Sequence, residues 1–190
     1  MEEYQLIDLL KKQDRLAFRQ LVQTYQDKVY NTCMGFVRHE QDAEDIAQEV
    51  FIEVFHSVTK FREESKLSTW IYRITVSKSL EFIRKKKSKK RTAFLQSLFG
   101  LSQEVIYSDY VHPGIQMENR ERAKILFEAI GKLPENQKIA FTLHKVEALS
   151  YQEIAQIMDT SLSSVEALMH RARKKLQKLL AVFYKNEKNH

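Results

Sequence analysis

Six carboxylates stand between Glu40 and Glu53, at Glu40, Asp42, Glu44, Asp45, Glu49 and Glu53, with no lysine or arginine among them. Acids at that density suit two tasks, holding a divalent cation or meeting a basic partner. A metal bundle needs its carboxylates turned inward. On a helical wheel Ala43, Ile46, Ala47, Val50, Phe51 and Val54 share the inward face, and Asp45, Gln48, Glu49 and Ile52 share the opposite one. The acids therefore point outward and no metal site is expected. Ile52, an apolar side chain stranded among charges, reads as the anchor of an interface with a basic partner.

A second constellation is "STWIYRITVSKSLEFIRKKKSKKR", Ser68 to Arg91, which holds the only tryptophan of the chain. From Lys78 to Arg91 it carries eight bases against the single acid Glu81. At helical spacing Trp70, Arg73, Ser77, Glu81 and Arg84 fall on one polar stripe. Ile71, Ile74, Val76, Leu80, Phe82 and Ile83 fill the remainder. An indole bordering such a stripe can stack on an unpaired base while Arg84, Lys85, Lys86 and Lys87 follow the phosphates, and stacking of this kind is worth about 1–3 kcal/mol per base. The alternative is a Trp70 that plugs the core.

The third is "SYQEIAQIMDTSLSSVEALMHRARKKLQ", Ser150 to Gln177, which has the layout of a helix-turn-helix. With Tyr151 as the first position, Ala155 is fifth, Val165 fifteenth and Leu168 eighteenth, where the motif needs a small residue and two apolar anchors. The ninth position is Asp159, a residue that tolerates the left-handed turn. With 165, 168, 172 and 176 inward, the outward set at the front of the second helix is Ser164, Glu166, Ala167, His170, Arg171 and Lys174, with Arg173 at its edge. Arg171 suits guanine, and Arg173, Lys174 and Lys175 suit phosphates. The plain reading is a helical hairpin with a solvated basic face.

The elements that position these residues are all helical. In 190 residues there are four glycines and two prolines, 43% apolar and 29% charged residues, which describes a globular chain with few turns. Apolar spacing predicts helices near 2–12, 14–38, 41–59, 67–90, 94–110, 116–131, 135–147, 150–158 and 162–184, with N-caps at Asp14 and Ser150 and Pro134 opening a helix. A divide is expected where period breaks after the basic run, giving domains at 1–91 and 118–190 and an apolar linker at 92–117. That linker should dock on a domain or a partner. A net charge of +6 suggests a polyanionic partner. Separate acidic and basic surfaces suggest two different partners. The lone cysteine, Cys33, and the lack of a signal-like start or a long apolar run point to a reduced, cytoplasmic setting without membrane insertion.

Together these motifs resemble the extracytoplasmic-function sigma factors of bacterial RNA polymerase. "DAEDIAQEVFIEVF" (Asp42 to Phe55) resembles the segment that grips the beta-prime clamp coiled coil, which the resemblance assigns to Asp42, Asp45, Gln48, Glu49 and Ile52. "FREESKLSTWIYRITVSKSLEFIRKKK" (Phe61 to Lys87) resembles the promoter-melting and minus-ten-reading segment. "LPENQKIAFTLHKVEALSYQEIAQIMDTSLSSVEALMHRARKKL" (Leu133 to Leu176) resembles the minus-thirty-five domain. The resemblance implies two helical domains, no enzymatic activity, no cofactor, capture of a flipped-out base of the non-template strand, and an anti-sigma protein as a further partner. Ser77 stands where the family commonly has Asn, Glu81 where it has Asp, and Glu166, Ala167 and His170 replace a more basic or serine-rich set. Two other classes remain open: an independent repressor or activator using the carboxyl-terminal motif, and a metal-dependent nuclease or phosphohydrolase using the acids near Asp45.

Overall fold

The computed structural model describes the backbone of residues 2–98, 125, 126 and 128–187, and side chains up to 88 and between 125 and 181, residue 127 excepted. Its first unit is built from α1 (Glu3–Lys11), α2 (Arg15–Val37), α3 (Glu40–Ser57), a 3-10 turn (Val58–Lys60) and α4 (Leu67–Leu98). Asp14 caps α2 by accepting from the amides of Leu16 and Ala17 at 2.9 and 2.8 Å. These bonds satisfy two of the donors that a helix start leaves open. The helices meet over a core of Leu10, Leu21, Val29, Ile46, Val50, Val54, Leu67 and Ile71.

The expected end of the fourth helix near 90 is wrong. α4 continues to Leu98. Loss of apolar period at the basic run ends amphipathicity, but the first glycine or proline that follows is Gly100. The divide expected to start at Thr92 therefore begins inside a helix. The helix expected at 94–110 overlaps the last turn of α4, and its remainder, like most of 116–131, lies outside the described residues, as does the linker from Phe99 to Gln116.

The second unit comprises a helical turn at 128–131, α5 (Glu135–Val146), α6 (Tyr151–Ile157) and α7 (Leu162–Glu187). Pro134 precedes the first turn of α5, and Ser150 opens α6 in a capping box with Glu153. Ile139, Leu143, Ile154, Ala155, Val165, Met169, Ala172 and Leu176 form its core. The expected anchors hold except that Leu168 is only half-buried. Met169, one residue on, is fully buried.

The two units are in contact. Phe36, Tyr72 and Val76, from α2 and α4, belong to the apolar cluster of the second unit. α2 approaches α5 at Gly35, where a Cβ would stand 2.5 Å from Cγ2 of Thr142. A glycine inside a helix costs about 1 kcal/mol relative to alanine, and here it allows the close approach.

Candidate nucleic-acid and partner interfaces

α3 separates its two faces as the wheel required. Ala43, Ile46, Val50 and Val54 are buried, while Glu44, Asp45, Gln48 and Glu49 are open to solvent. Ile52 is 58% exposed in their midst. Asp42 departs from the set: its side chain is largely covered and paired with Lys86 of α4. Glu53 likewise pairs with Lys78 at 3.0 Å. The acidic and basic segments are thus partly spent on each other, because α3 and α4 are packed side by side. Glu53 and His56 have the Glu-x-x-His spacing of metal bundles. The carboxylate nevertheless takes an ammonium, and among the described residues no cluster of three or more His, Cys, Asp or Glu is placed to hold a metal ion.

The stripe of α4 is real but is not free. Arg73, Ser77, Glu81 and Arg84 lie at the surface. Trp70 is half-buried against the first core, its ring 5.0 Å from that of Phe61 and tilted by 32°. It packs on the first core, as the core reading expects, and part of it stays open to solvent at the border of the stripe. Arg73 donates to the backbone carbonyl of Gln156 at 2.6 and 3.2 Å. Arg84 pairs with Glu135 at 2.6 Å. Between these contacts runs an open groove of about 310 Å³ lined by Ser77, Leu80, Asn136, Ile139 and Met158. Of the lysines, Lys85 pairs with Glu81 one turn back and Lys86 with Asp42, and Lys87 is exposed. The pair with Glu81 raises the Lys85 pKa and lowers that of Glu81.

In the helix-turn-helix, Asp159 has φ 50°, the left-handed conformation expected of it. The amide of Thr160 reaches the carbonyl of Ala155 at 2.9 Å and that of Asp159 the carbonyl of Gln156 at 3.3 Å, the double closure that ends a helix sharply. Ser161 accepts from the amide of Ser164 and bonds its hydroxyl, so Ser164 helps close the start of α7. Glu166, His170, Arg171 and Lys174 are exposed along one side of α7, with Ala167 half-buried beside them. Arg173 donates to the Tyr151 hydroxyl at 2.6 Å, which ties it to α6.

Sequence reasoning missed the groups that join the units. Tyr72 donates from its phenol to Glu147 at 2.8 Å, and Lys138 donates to the carbonyl of Phe36 at 2.8 Å. Burial lowers the Lys138 pKa to about 8, with Arg38 and Lys87 adding to the effect. Only Gly35, a glycine in a helix interior, signalled such an approach.

Two family models cover these elements: Sigma-70 region 2 matches residues 21–89, and Sigma-70, region 4 matches residues 123–176. The ECF RNA polymerase sigma factor SigW of Bacillus subtilis is 34% identical over 92% of this chain and 94% of its own length. The chain belongs to the ECF sigma factors of the sigma-70 family. The ECF RNA polymerase sigma-E factor of Haemophilus influenzae, 32% identical over 90% of this sigma factor and 92% of its own length, agrees. CnrH in complex with the cytosolic domain of CnrY has the same fold, with a TM-score of 0.69 at 21% identity over 95% of this chain and 97% of that one. The sigma factor RpoE in complex with the anti-sigma factor NepR from Bartonella quintana gives a TM-score of 0.62 at 21% identity, over 87% and 97%. As a sigma factor the chain is a non-enzymatic initiation factor of RNA polymerase with a DNA-binding helix-turn-helix. Among the described residues no helix is long and apolar enough to cross a membrane.

Proposed function

We propose that this sigma factor directs promoter-specific initiation through three surfaces. Asp45, Gln48, Glu49 and Ile52 on α3 hold the beta-prime clamp coiled coil of core polymerase. Trp70, Arg73, Ser77 and the cations from Arg84 to Lys87 hold the melted minus-ten strand. Ser164, Glu166, Ala167, His170, Arg171, Arg173 and Lys174 read the minus-thirty-five duplex. An anti-sigma protein restrains the whole, as the anti-sigma factor NepR is found bound to one structural neighbour. The first domain extends through α4 rather than ending at 91, the second spans 118–190, and the cellular place is the cytoplasm.

The observation that carries this reading is Ile52, 58% exposed within an acidic row while Ala43, Ile46, Val50 and Val54 on the opposite face are buried. A solvated helix gains nothing from an isoleucine there, whereas a basic partner that covers it does. Purified chain added to core polymerase should start transcription from discrete sites on genomic DNA. Protection by the holoenzyme should fall in two patches, upstream duplex and melted start region. Duplex binding without initiation would instead indicate a free-standing repressor or activator.

A further inference from the structure

We propose that α1 is the positioning element of the stacking site: Glu3 and Lys11, at its two ends, fix the helical turn that carries Trp70 and the surface behind its ring. This rests on the reading of Trp70 as the residue that stacks on the melted strand. The carboxylate of Glu3 accepts from the amide of Leu67 at 3.0 Å, although the two are 64 apart in sequence. Leu67 is the first residue of α4, so an acid from another helix caps the start of the helix on which Trp70 stands. Trp70 closes that first turn, its amide bonded to the carbonyl of Lys66 at 3.2 Å. At the other end of α1, Lys11 pairs with Glu63. Glu63 has φ 61°, a conformation uncommon for a residue with a side chain. The pair is part-exposed, and a contact of that kind adds little to stability. Its effect is to fix where the chain runs.

The backing of the ring is held by the same helix. Phe61, whose ring packs on that of Trp70 at 5.0 Å, directly follows the 3-10 turn Val58–Lys60, and α1 packs on that turn. Leu6, Ile7 and Leu10 share one core with Val58, Phe61 and Leu67. A helix of nine residues is stiff over the roughly 12 Å between Glu3 and Lys11. It therefore spans the stretch 62–66 as a strut, holding it at Glu63 and again at Leu67. A side chain that is ordered before it binds loses less freedom on binding. Trp70 is ordered from both sides.

The sole tryptophan makes this measurable, because fluorescence of the full-length chain excited where tyrosine does not absorb reports Trp70 alone. The probe is a short single-stranded oligonucleotide of randomised sequence, titrated into the free chain with indole quenching as the readout and, carrying a dye, into holoenzyme with anisotropy as the readout. Core-polymerase capture and urea unfolding are measured beside it. Glu3→Ala should weaken strand binding about tenfold, the loss of roughly one stacked base, and open Trp70 to quenching by acrylamide. Glu3→Gln keeps an acceptor for the Leu67 amide and should recover most of the affinity. All variants should capture core as the native chain does. Glu63→Lys separates position from charge: an added cation beside a polyanion predicts tighter binding, whereas loss of the pair with Lys11 predicts weaker binding that Lys11→Glu/Glu63→Lys restores. If Glu3→Ala costs folded protein, this surface pair carries the same test. In a Trp70→Ala holoenzyme, Glu3→Ala should add no further loss. Equal losses with and without the indole overturn positioning through Trp70, and so does tighter binding by Glu63→Lys. If Trp70→Ala weakens strand binding and neither Glu3→Ala nor Glu63→Lys does, only the role of α1 is lost. If Trp70→Ala changes nothing, the reading of Trp70 as the stacking residue is lost with it.

Discussion

The phenol of Tyr72 on α4 donates to the carboxylate of Glu147 just past α5, at 2.8 Å, a bond between residues 75 apart in sequence that joins the two domains. Burial raises the Glu147 pKa, and the bonds from Tyr72 and Thr32 pull it back. Tyr72→Phe removes the donor and leaves a half-buried carboxylate with less to hold it. We expect a loss of about 1–3 kcal/mol, because the desolvation of an acceptor is no longer offset. Tyr72→Phe with Glu147→Met should recover most of it, since both polar partners are then gone. Urea unfolding of the two variants checks this, and equal losses would place the effect in the phenyl packing instead.

The acidic row of α3 is expected to serve polymerase without serving the fold. Asp45, Glu49 and Ile52 are exposed, and none of them supports the core. Asp45→Arg with Glu49→Arg should weaken core-polymerase binding in a pull-down titration and leave the unfolding midpoint in place. Ile52→Ser should weaken binding as well, with less salt dependence, because its contribution is apolar. An unchanged titration removes α3 from the interface. Asp42→Asn is the contrasting case: the carboxylate holds Lys86, so its loss should register in stability.

The contrast between Asp45 and Asp42 shows what a single sequence makes legible. Periodicity sorts α3 into a buried and an exposed face, and local chemistry finds the caps at Asp14 and Ser150 and the left-handed turn at Asp159. Each of these is decided within a few residues. That Asp42 meets Lys86, Arg73 meets Gln156 and Lys138 meets Phe36 depends on how helices far apart in the chain lie together. The wheel of α4 identified its polar stripe correctly. It had no means of showing that another domain covers part of it.

Arg171 and Arg173, two residues apart on α7, should behave differently on DNA. Arg171 is exposed, while Arg173 is already bonded to Tyr151. Arg171→Ala should cost about 1–3 kcal/mol on a cognate promoter and relax preference at one base pair, if its guanidinium reads a base edge. Arg173→Ala should weaken all duplexes alike, with a shallower dependence on salt, as a lost phosphate contact does. Holoenzyme titrations against promoter variants at two salt concentrations separate the two. Uniform losses for Arg171→Ala would make it a phosphate contact too.

Lys138 should give the closed chain a stability that rises with alkaline pH. Its ammonium lies against the carbonyl end of α2 and the ring of Phe36, and desolvation lowers its pKa to about 8, with Arg38 and Lys87 pushing the same way. In the unfolded chain the group keeps its ordinary pKa, well above that. Between the two values the unfolded state binds more protons, so unfolding becomes harder as pH rises. Below about pH 8 the group is charged in both states, and the full desolvation cost is present. Cys33 acts in the opposite sense, its buried thiol keeping a proton that the unfolded chain gives up. The measurement is therefore a difference: wild type should gain on the order of 1 kcal/mol over Lys138→Met from about pH 8 to about pH 10, after allowance for the part-exposed ammonium. Isothermal urea melts of both proteins across that range test it, and parallel curves would mean that the ammonium is as well solvated in the folded chain as in the unfolded one.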